Sequence, residues 1–373
     1  MTKDSQREEA EENISAGRLT RRSALQFGTG MAALSALGAL LACRTSSPGE
    51  SNHANPASRV RRKLVWIPQA AGDWEVPIRV GQMEFCKMVG WDYQHIGNPV
   101  YSVQNHLDQL NDAISARPDV IVTELESRGM VSGFKRALDA RIAIVIIDQA
   151  VAEEAARLGL GVISQDPITM GTLNGTQAAT WAEKISGKKE GVILIGNGNP
   201  GSALIDALQS ATLAGIAAYN HDHGTNFVTE TFADSAFDDI ATSMSKYGAH
   251  VDQKGDSLVG LAGLGGASAI AIWKTLKERG IPPGRQIAAG SPDIFPDQQT
   301  GIEEGYLQWG IDQDFLVMGF LSAASAWLQI EHGYPYWSMH TPGEVVLKND
   351  IERVQARTAV WLAKAKELNL IGS

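Results

Sequence analysis

Between residues 63 and 312 the chain alternates short aliphatic runs with amphipathic segments of helical length. That alternation predicts βα units wound around parallel sheets, because strands covered on both faces read as near-continuous Val, Ile and Leu. The first five runs are KLVWIP (63–68), WDYQHIG (91–97), DVIVTE (119–124), IAIVIID (142–148) and GVISQD (161–166). Five more follow: GVILIGN (191–197), NFVTETF (226–232), SLVGLAG (257–263), QIAAGSP (286–292) and YLQWGID (306–312). So many strands predict two sheets rather than one. Among the intervening helices, Val103, Leu107, Leu110 and Ile114 recur at steps of three and four and mark one buried face, which Arg117-Pro118 ends. The segment after Asn349 predicts a C-terminal amphipathic helix that docks on one lobe through Val354, Ala359, Trp361 and Leu362.

Parallel sheets hold ligands beyond the carboxyl ends of their strands. The residues just after the aliphatic runs are rich in acids, amides and aromatics: Asp73 and Trp74, Glu124, Asp148 and Gln149, Gln165 and Asp166, Asn197 and Asn199, Phe237, Asp293, and Gln313. Such groups suit a polyhydroxylated solute, whose hydroxyls pair with carboxylates and amides while its C–H faces stack on rings. Trp74 either covers a ligand face or plugs the lobes. Asp148 follows four aliphatics, so its carboxylate is solvated, caps a helix or holds ligand. Asp166 precedes Pro167 and fits a helix N-cap as well as a ligand contact. By spacing with Ile240 and Met244, Phe237 also reads as an ordinary helix-face residue.

Composition narrows the partners. The net charge is -10, and it stays there when residues 1–42 are removed, since five basic and five acidic residues leave together. Nucleic acid and bare anionic membrane are therefore excluded as targets. Of the two cysteines, Cys86 lies in an apolar helical pattern with no disulfide partner and reads as a small buried hydrophobe. His221-Asp222-His223 has chelating composition in surroundings that predict a solvated loop, and no third ligand is identifiable, so no metal is predicted. No nucleophile–base set or carboxylate pair emerges from spacing, and neither turnover nor a cofactor is expected. The rival is an exported NAD(P)-dependent oxidoreductase, because Gly196 to Gly201 fits G-x-G-x-x-G between a strand and a helix. Against it, this stretch lies deep in the chain, and Pro200 removes an amide that a phosphate would use.

The N-terminus carries an address. In TRRSALQFGTGMAALSALGALLAC (20–43), Arg21-Arg22 form a twin-arginine pair, a weakly apolar stretch follows, and Leu40-Leu41-Ala42-Cys43 looks like a lipobox. The apolar run is short for a membrane span and is broken by Gly28, Thr29, Gly30, Ser35 and Gly38. By resemblance to bacterial lipoproteins, residues 1–42 form a signal peptide, Cys43 takes the lipid, and residues 43–62 tether the folded body to the outer face of a membrane in the cell envelope.

From Lys63 to Asn349 the order of elements resembles the type I periplasmic solute-binding proteins, especially the ribose and simple-sugar receptors of ABC importers. IAIVIIDQ (142–149) is similar to that family's strand ending in Asp plus a ligand-binding residue, and VISQDP (162–167) to its first interdomain crossing. AFDDIA (236–241) resembles the segment whose Phe lines the pocket, and EEGYLQWGIDQDFLVMG (303–319) places Gln313 on a ligand-contacting position. The resemblance implies an α/β fold of two doubly wound parallel-sheet lobes, residues 63–164 plus 314–341 and residues 165–313 plus 342–373. Three crossings near Ser164, Gln313 and Pro342 would join them, with ligand in the cleft and closure by hinge motion. It implies binding through Asp73, Trp74, Asp148, Gln149, Asp166, Phe237, Asp293 and Gln313, a monomeric receptor without enzyme activity, and an ABC permease as partner. A receptor of the same fold that signals to a membrane sensor is the alternative. The chain departs from the sugar-receptor pattern: Gln149 and the region of Thr212 lack expected arginines, and Leu264-Gly265-Gly266 replaces an Asn-Asp pair.

Overall fold

The computed structural model describes residues 61–372 except Asp238 and Pro342. The twin-arginine segment, Cys43, nearly all of the tether and the crossing at Pro342 lie outside the described residues. Each aliphatic run of the sequence meets a strand. The first half runs β1 (Lys63–Ile67), α1 (Val76–Val89), β2 (Asp92–His95), α2 (Val103–Ala116), β3 (Val120–Leu125), α3 (Val131–Asp139), β4 (Ala143–Ala150), α4 (Ala152–Arg157) and β5 (Val162–Ser164). The second runs α5 (Pro167–Ser186), β6 (Glu190–Asn197), α6 (Ala203–His223), β7 (Asn226–Ala233), α7 (Ile240–Lys254), β8 (Leu258–Gly263), α8 (Gly266–Glu278), β9 (Ala288–Pro292), α9 (Pro296–Glu303) and β10 (Trp309–Asp312). The chain closes with α10 (Phe315–His332), β11 (Met339–His340), β12 (Glu344–Val346) and α11 (Ile351–Glu367).

Two six-stranded sheets result, ordered β11-β5-β4-β3-β1-β2 and β12-β10-β9-β8-β6-β7. The two orders match strand for strand, and each reverses direction beside its first strand, which opens a crevice at the carboxyl ends. All pairings are parallel except β10 with β12, which is antiparallel and closes one edge. The chain passes between the lobes after Ser164, after Asp312 and after His340. Helices sandwich both sheets, and Leu64, Trp66, Ile144 and Ile146 in one and Ile193, Leu194, Leu261 and Trp309 in the other are fully buried. In the first lobe α1 and α10 cross so closely that a Cβ on Gly81 would lie 2.3 Å from Leu316 O and one on Gly319 2.1 Å from Ile78 O. That contact locks the start of α10, and with it the second crossing, against the first lobe.

Two local expectations change. The His221-Asp222-His223 triplet occupies the last turn of α6, where His223 stacks on Tyr219 at 3.9 Å, rather than a loop. The C-terminal helix docks on both lobes instead of one. Its first half buries Ile351 and Val354 in the second lobe, while Trp361 and Ala365 pack against Val76 and Val80 of α1. Its buried face runs through Ile351, Val354, Thr358 and Ala365, leaving Ala359 exposed. Among the described residues no helix is long and apolar enough to cross a membrane.

Candidate functional site

A cleft of about 540 Å³ lies between the lobes, lined by the segments that leave the carboxyl ends of both sheets. Its size falls within the roughly 300–1,000 Å³ of small-molecule sites. Of the eight residues that the resemblance implied for binding, six line it together, Trp74, Asp148, Gln149, Phe237, Asp293 and Gln313, and the strand-end residue Asn199 joins them. Two do not. Asp73 is exposed at the start of a short 3-10 turn that aims Trp74, not Asp73, inward. Asp166 caps α5, where its carboxylate accepts from the amides of Ile168 and Thr169 and the Thr169 hydroxyl, and these bonds hold its pKa below the usual carboxylate value against the opposing pull of burial. Tyr101, Phe295 and Phe315 also line the cleft and were not singled out from sequence. A signal existed for the last two: each follows a polar strand-end residue, Asp293 or Gln313, by two positions.

The lobes touch around this space. At the rim, Ser202 at the head of α6 donates to Gln149 Oε1 across the gap at 2.9 Å, and Tyr101 meets Phe237 edge-on with centroids 5.0 Å apart. At the hinge, Phe295 stacks on Phe315 at 5.7 Å, and Trp74 contacts Phe315 edge-on. Rings thus bracket both ends of a polar middle, an arrangement that can hold a ring-shaped solute between its faces.

The two strand-end acids are matched in place and unusual in backbone. Asp148 on β4 and Asp293 after β9 both adopt left-handed conformations, φ 58° and 75°. Asp148 sits where β4 bulges: Thr123 pairs with Ile146, but Leu125 pairs with Ala150, so β4 spends two extra residues there. Such a kink re-aims a side chain, and short polar residues tolerate it best. Burial, then the like charge of Asp293, pushes Asp148 up to about 7. Burial pushes Asp293 up to about 6, although Gln313 Nε2 and the Gly266 amide, the latter at 2.6 Å, both donate to it. Beneath Gln69, Glu124 is fully buried and, among the described residues, accepts only the Gln69 amide at 2.6 Å; burial first, then Asp148 and Glu126, push it well above the usual range.

Neighbouring acids are balanced. Glu75 accepts from Trp66 Nε1 and lies 3.9 Å from Arg79. Glu126 meets His106 Nδ1 at 2.7 Å, and His106 Nε2 meets Thr123 Oγ1 at 2.8 Å. Thr123 donates its one hydroxyl hydrogen to Ile67 O, so Nε2 must itself carry a hydrogen.

The Gly196–Gly201 loop opens the first βα unit of the second lobe, a position that suits a dinucleotide fingerprint better than its depth in the chain suggested. Its surroundings do not suit a phosphate. Gly198 and Asn199 face a cleft that holds two carboxyl groups and, among the described residues, no lysine or arginine. No cluster of metal-ligating side chains occurs among the described residues either.

The chain was compared with known proteins. A family model described as a periplasmic binding protein domain matches residues 64–333. The xylose/arabinose-binding protein XylF of Sulfolobus acidocaldarius is 24% identical over 280 residues, which are 72% of this chain and 66% of that protein, just under two thirds of its length. A solute-binding protein of an ABC transporter from Burkholderia graminis, solved with D-arabinose, superposes with a TM-score of 0.68 at 22% identity, covering 78% of this chain and 96% of that one. One from Actinobacillus succinogenes, solved with D-allose, gives 0.69 at 17%, covering 79% and 100%. The chain belongs to the periplasmic binding protein domain family.

Proposed function

We propose that this periplasmic binding protein is the receptor of an ABC importer and captures a sugar or a sugar-like polar solute by closure of its two lobes. One observation carries the reading: buried carboxyl groups and amides from both lobes, Asp148 and Gln149 facing Asp293 and Gln313, converge with aromatic rings on one cleft. Bidentate acceptors and forked amides match adjacent hydroxyls, and rings match the C–H face of a sugar. The related proteins solved with D-arabinose and D-allose support the same class of cargo. In this reading Trp74 and Phe237 stack on the solute, Asp148, Gln149, Asp293 and Gln313 bind its polar groups, and Asp73 and Asp166 stay outside. The lobes, residues 63–164 plus 314–341 and residues 165–313 plus 342–373, rotate about the crossings. Export through the twin-arginine segment and lipid on Cys43 place the receptor beside its permease, from which it needs no turnover chemistry of its own.

The test is thermal unfolding of the full-length chain against a panel of monosaccharides, polyols, nucleosides and amino acids. A solute at a hundred times its dissociation constant adds about 2.7 kcal/mol, a shift of several degrees. A saturable shift with a sugar-class solute is expected. No shift with any sugar-class solute, together with absorbance of a bound nicotinamide, overturns the reading in favour of the oxidoreductase.

A further inference from the structure

The carboxyl groups around the cleft are not all matched by basic groups of the protein. Five acids lie in or just behind its walls. Two are answered within the protein, Glu75 by Arg79 and Glu126 by His106. Three are not: Asp148, Glu124 and Asp293. Among the described residues nothing donates a hydrogen bond to the Asp148 carboxyl, and the one basic group near Glu124, the His106 ring with Nε2 at 4.0 Å, already has Nε2 on Thr123 and Nδ1 on Glu126. Asp293 has neutral donors only. No lysine or arginine lines the cleft among the described residues. A buried carboxylate without a counter-charge is costly, which is why these groups keep their protons to higher pH; three such carboxyls around one cavity suit a cation, whose entry would let them ionise.

Other polar atoms in the wall are unmet as well. Gln69 is 4% exposed, and its Oε1, an acceptor, has no partner. Glu124 Oε1 is buried and also unpartnered. These acceptors and the Asp148 carboxyl belong to the same lobe, so that wall asks for donors, several of them and close together. A protonated amine offers three donors and a full charge at one point. Five rings, Trp74, Tyr101, Phe237, Phe295 and Phe315, complete surroundings that attract a cation through their faces while excluding water.

Building on the receptor reading above, we infer that the solute carries a protonated amine on a hydroxylated frame, an amino sugar by chemical class, with the ammonium held between Asp148 and Asp293 and the hydroxyls on Gln69, Gln149, Asn199 and Gln313. The positions where the resemblance predicted arginine, and where Gln149 stands instead, fit the same conclusion: a site for a cation dispenses with cations of its own.

The experiment is calorimetric titration of the full-length chain at neutral pH with D-glucosamine, D-galactosamine and D-mannosamine, each beside its parent hexose and its N-acetyl derivative. One amino sugar should bind at least tenfold tighter than its parent, and acetylation, which keeps the nitrogen but removes the charge, should abolish the advantage. Asp148→Asn and Asp293→Asn should bring the ratio of amine to parent close to one. Both variants are isosteric and keep a residue type that accepts the left-handed backbone, and the ratio in the unaltered chain stands whether or not they fold. If a parent or N-acetyl sugar binds as tightly as the amine, the inference fails while the sugar-receptor reading stands. If neither the amines nor their parents bind while another neutral sugar of the wider panel does, the inference fails and the receptor reading stands; if no sugar-class solute binds in either experiment and bound nicotinamide is found, both fail.

Discussion

The two walls of the cleft are built on the same strand order, yet they treat their strand-end acids in opposite ways. Asp148 and Asp293 end corresponding strands, β4 and β9, in the same left-handed conformation. On the second lobe the chain leaves β8 as Leu264-Gly265-Gly266 and starts α8 at once, so the Gly266 amide at a helix N-terminus reaches Asp293. On the first lobe the chain leaves β3 through Glu124, Leu125 and Glu126, and its next turn, Arg128–Met130, brings no amide to Asp148. One acid is thus pinned before any ligand arrives, and the other is surrounded by further acceptors. The burial-driven shifts follow suit, about 6 for the pinned acid and about 7 for the free one. Topology selected the position; the residues on the neighbouring strand decided what the position can do.

The largest expected effect breaks this comparison if it is absent. Asp148 has its folded pKa raised from the ordinary 3.8 to about 7. Between those values the folded chain holds a proton that the unfolded chain has released, so this group's contribution is fully present below about pH 4 and is lost as pH rises through 7. At about 1.4 kcal/mol per pKa unit, the loss in unliganded protein amounts to at most ~4 kcal/mol. Asp148→Asn does not titrate and escapes it. The variant should melt several degrees above the unaltered chain at pH 8, with the difference gone at pH 4. Asp293→Asn should gain less, because it exchanges the acceptor of Gly266 and Gln313 for a group that is half donor. Equal gains for the two variants in melting curves at pH 4, 6 and 8 would mean that the walls are alike.

Much of this was legible in the sequence. Ten aliphatic runs located ten strands, since burial on both faces leaves little room for polar residues, and β11 and β12 escaped because two or three residues carry no period. Strand ends located Asp148, Asp293, Gln149 and Gln313 because a parallel sheet sends its ligand there whatever the loops do. Direction within a loop was not legible. Asp73 and Trp74 are adjacent, and only the 3-10 turn decides that the ring points in. Asp166 satisfied both of its readings until Thr169 took its carboxylate. Nor could the sequence show that Glu126 meets a histidine nitrogen at 2.7 Å while Glu124 lies 4.0 Å from the same ring, because His106 comes from α2, twenty residues before Glu126.

The glycines that free the second wall sharpen the contrast at an intermediate scale. A methyl on Gly266 would stand 2.7 Å from the Phe295 ring and 2.9 Å from Gln298 Oε1, both held in place, so Gly266→Ala should cost about 1–3 kcal/mol in unfolding experiments and displace a cleft aromatic. On Gly265 the nearest atom would be 3.8 Å away, and its φ of 178° is extended backbone, so Gly265→Ala should stay within about 0.5 kcal/mol. Equal losses would show that the wall responds to helix-start entropy rather than to the space beside Phe295.

The smallest effect concerns how the walls meet. Ser202 gives its hydroxyl hydrogen to Gln149 across the rim, and both residues are buried where the lobes meet. A hydrogen bond of this kind contributes about 1 kcal/mol, or roughly fivefold in an equilibrium. Ser202→Ala should therefore lower the closed fraction, and the affinity for any cleft ligand, by up to about fivefold. The unfolding temperature without ligand should barely move, because opening returns Gln149 to water. Small-angle scattering of the unliganded chain would register the same shift as a larger radius of gyration. An equal loss of stability and affinity would instead assign the Ser202 hydroxyl to the start of α6, where no side-chain cap bond from it is formed.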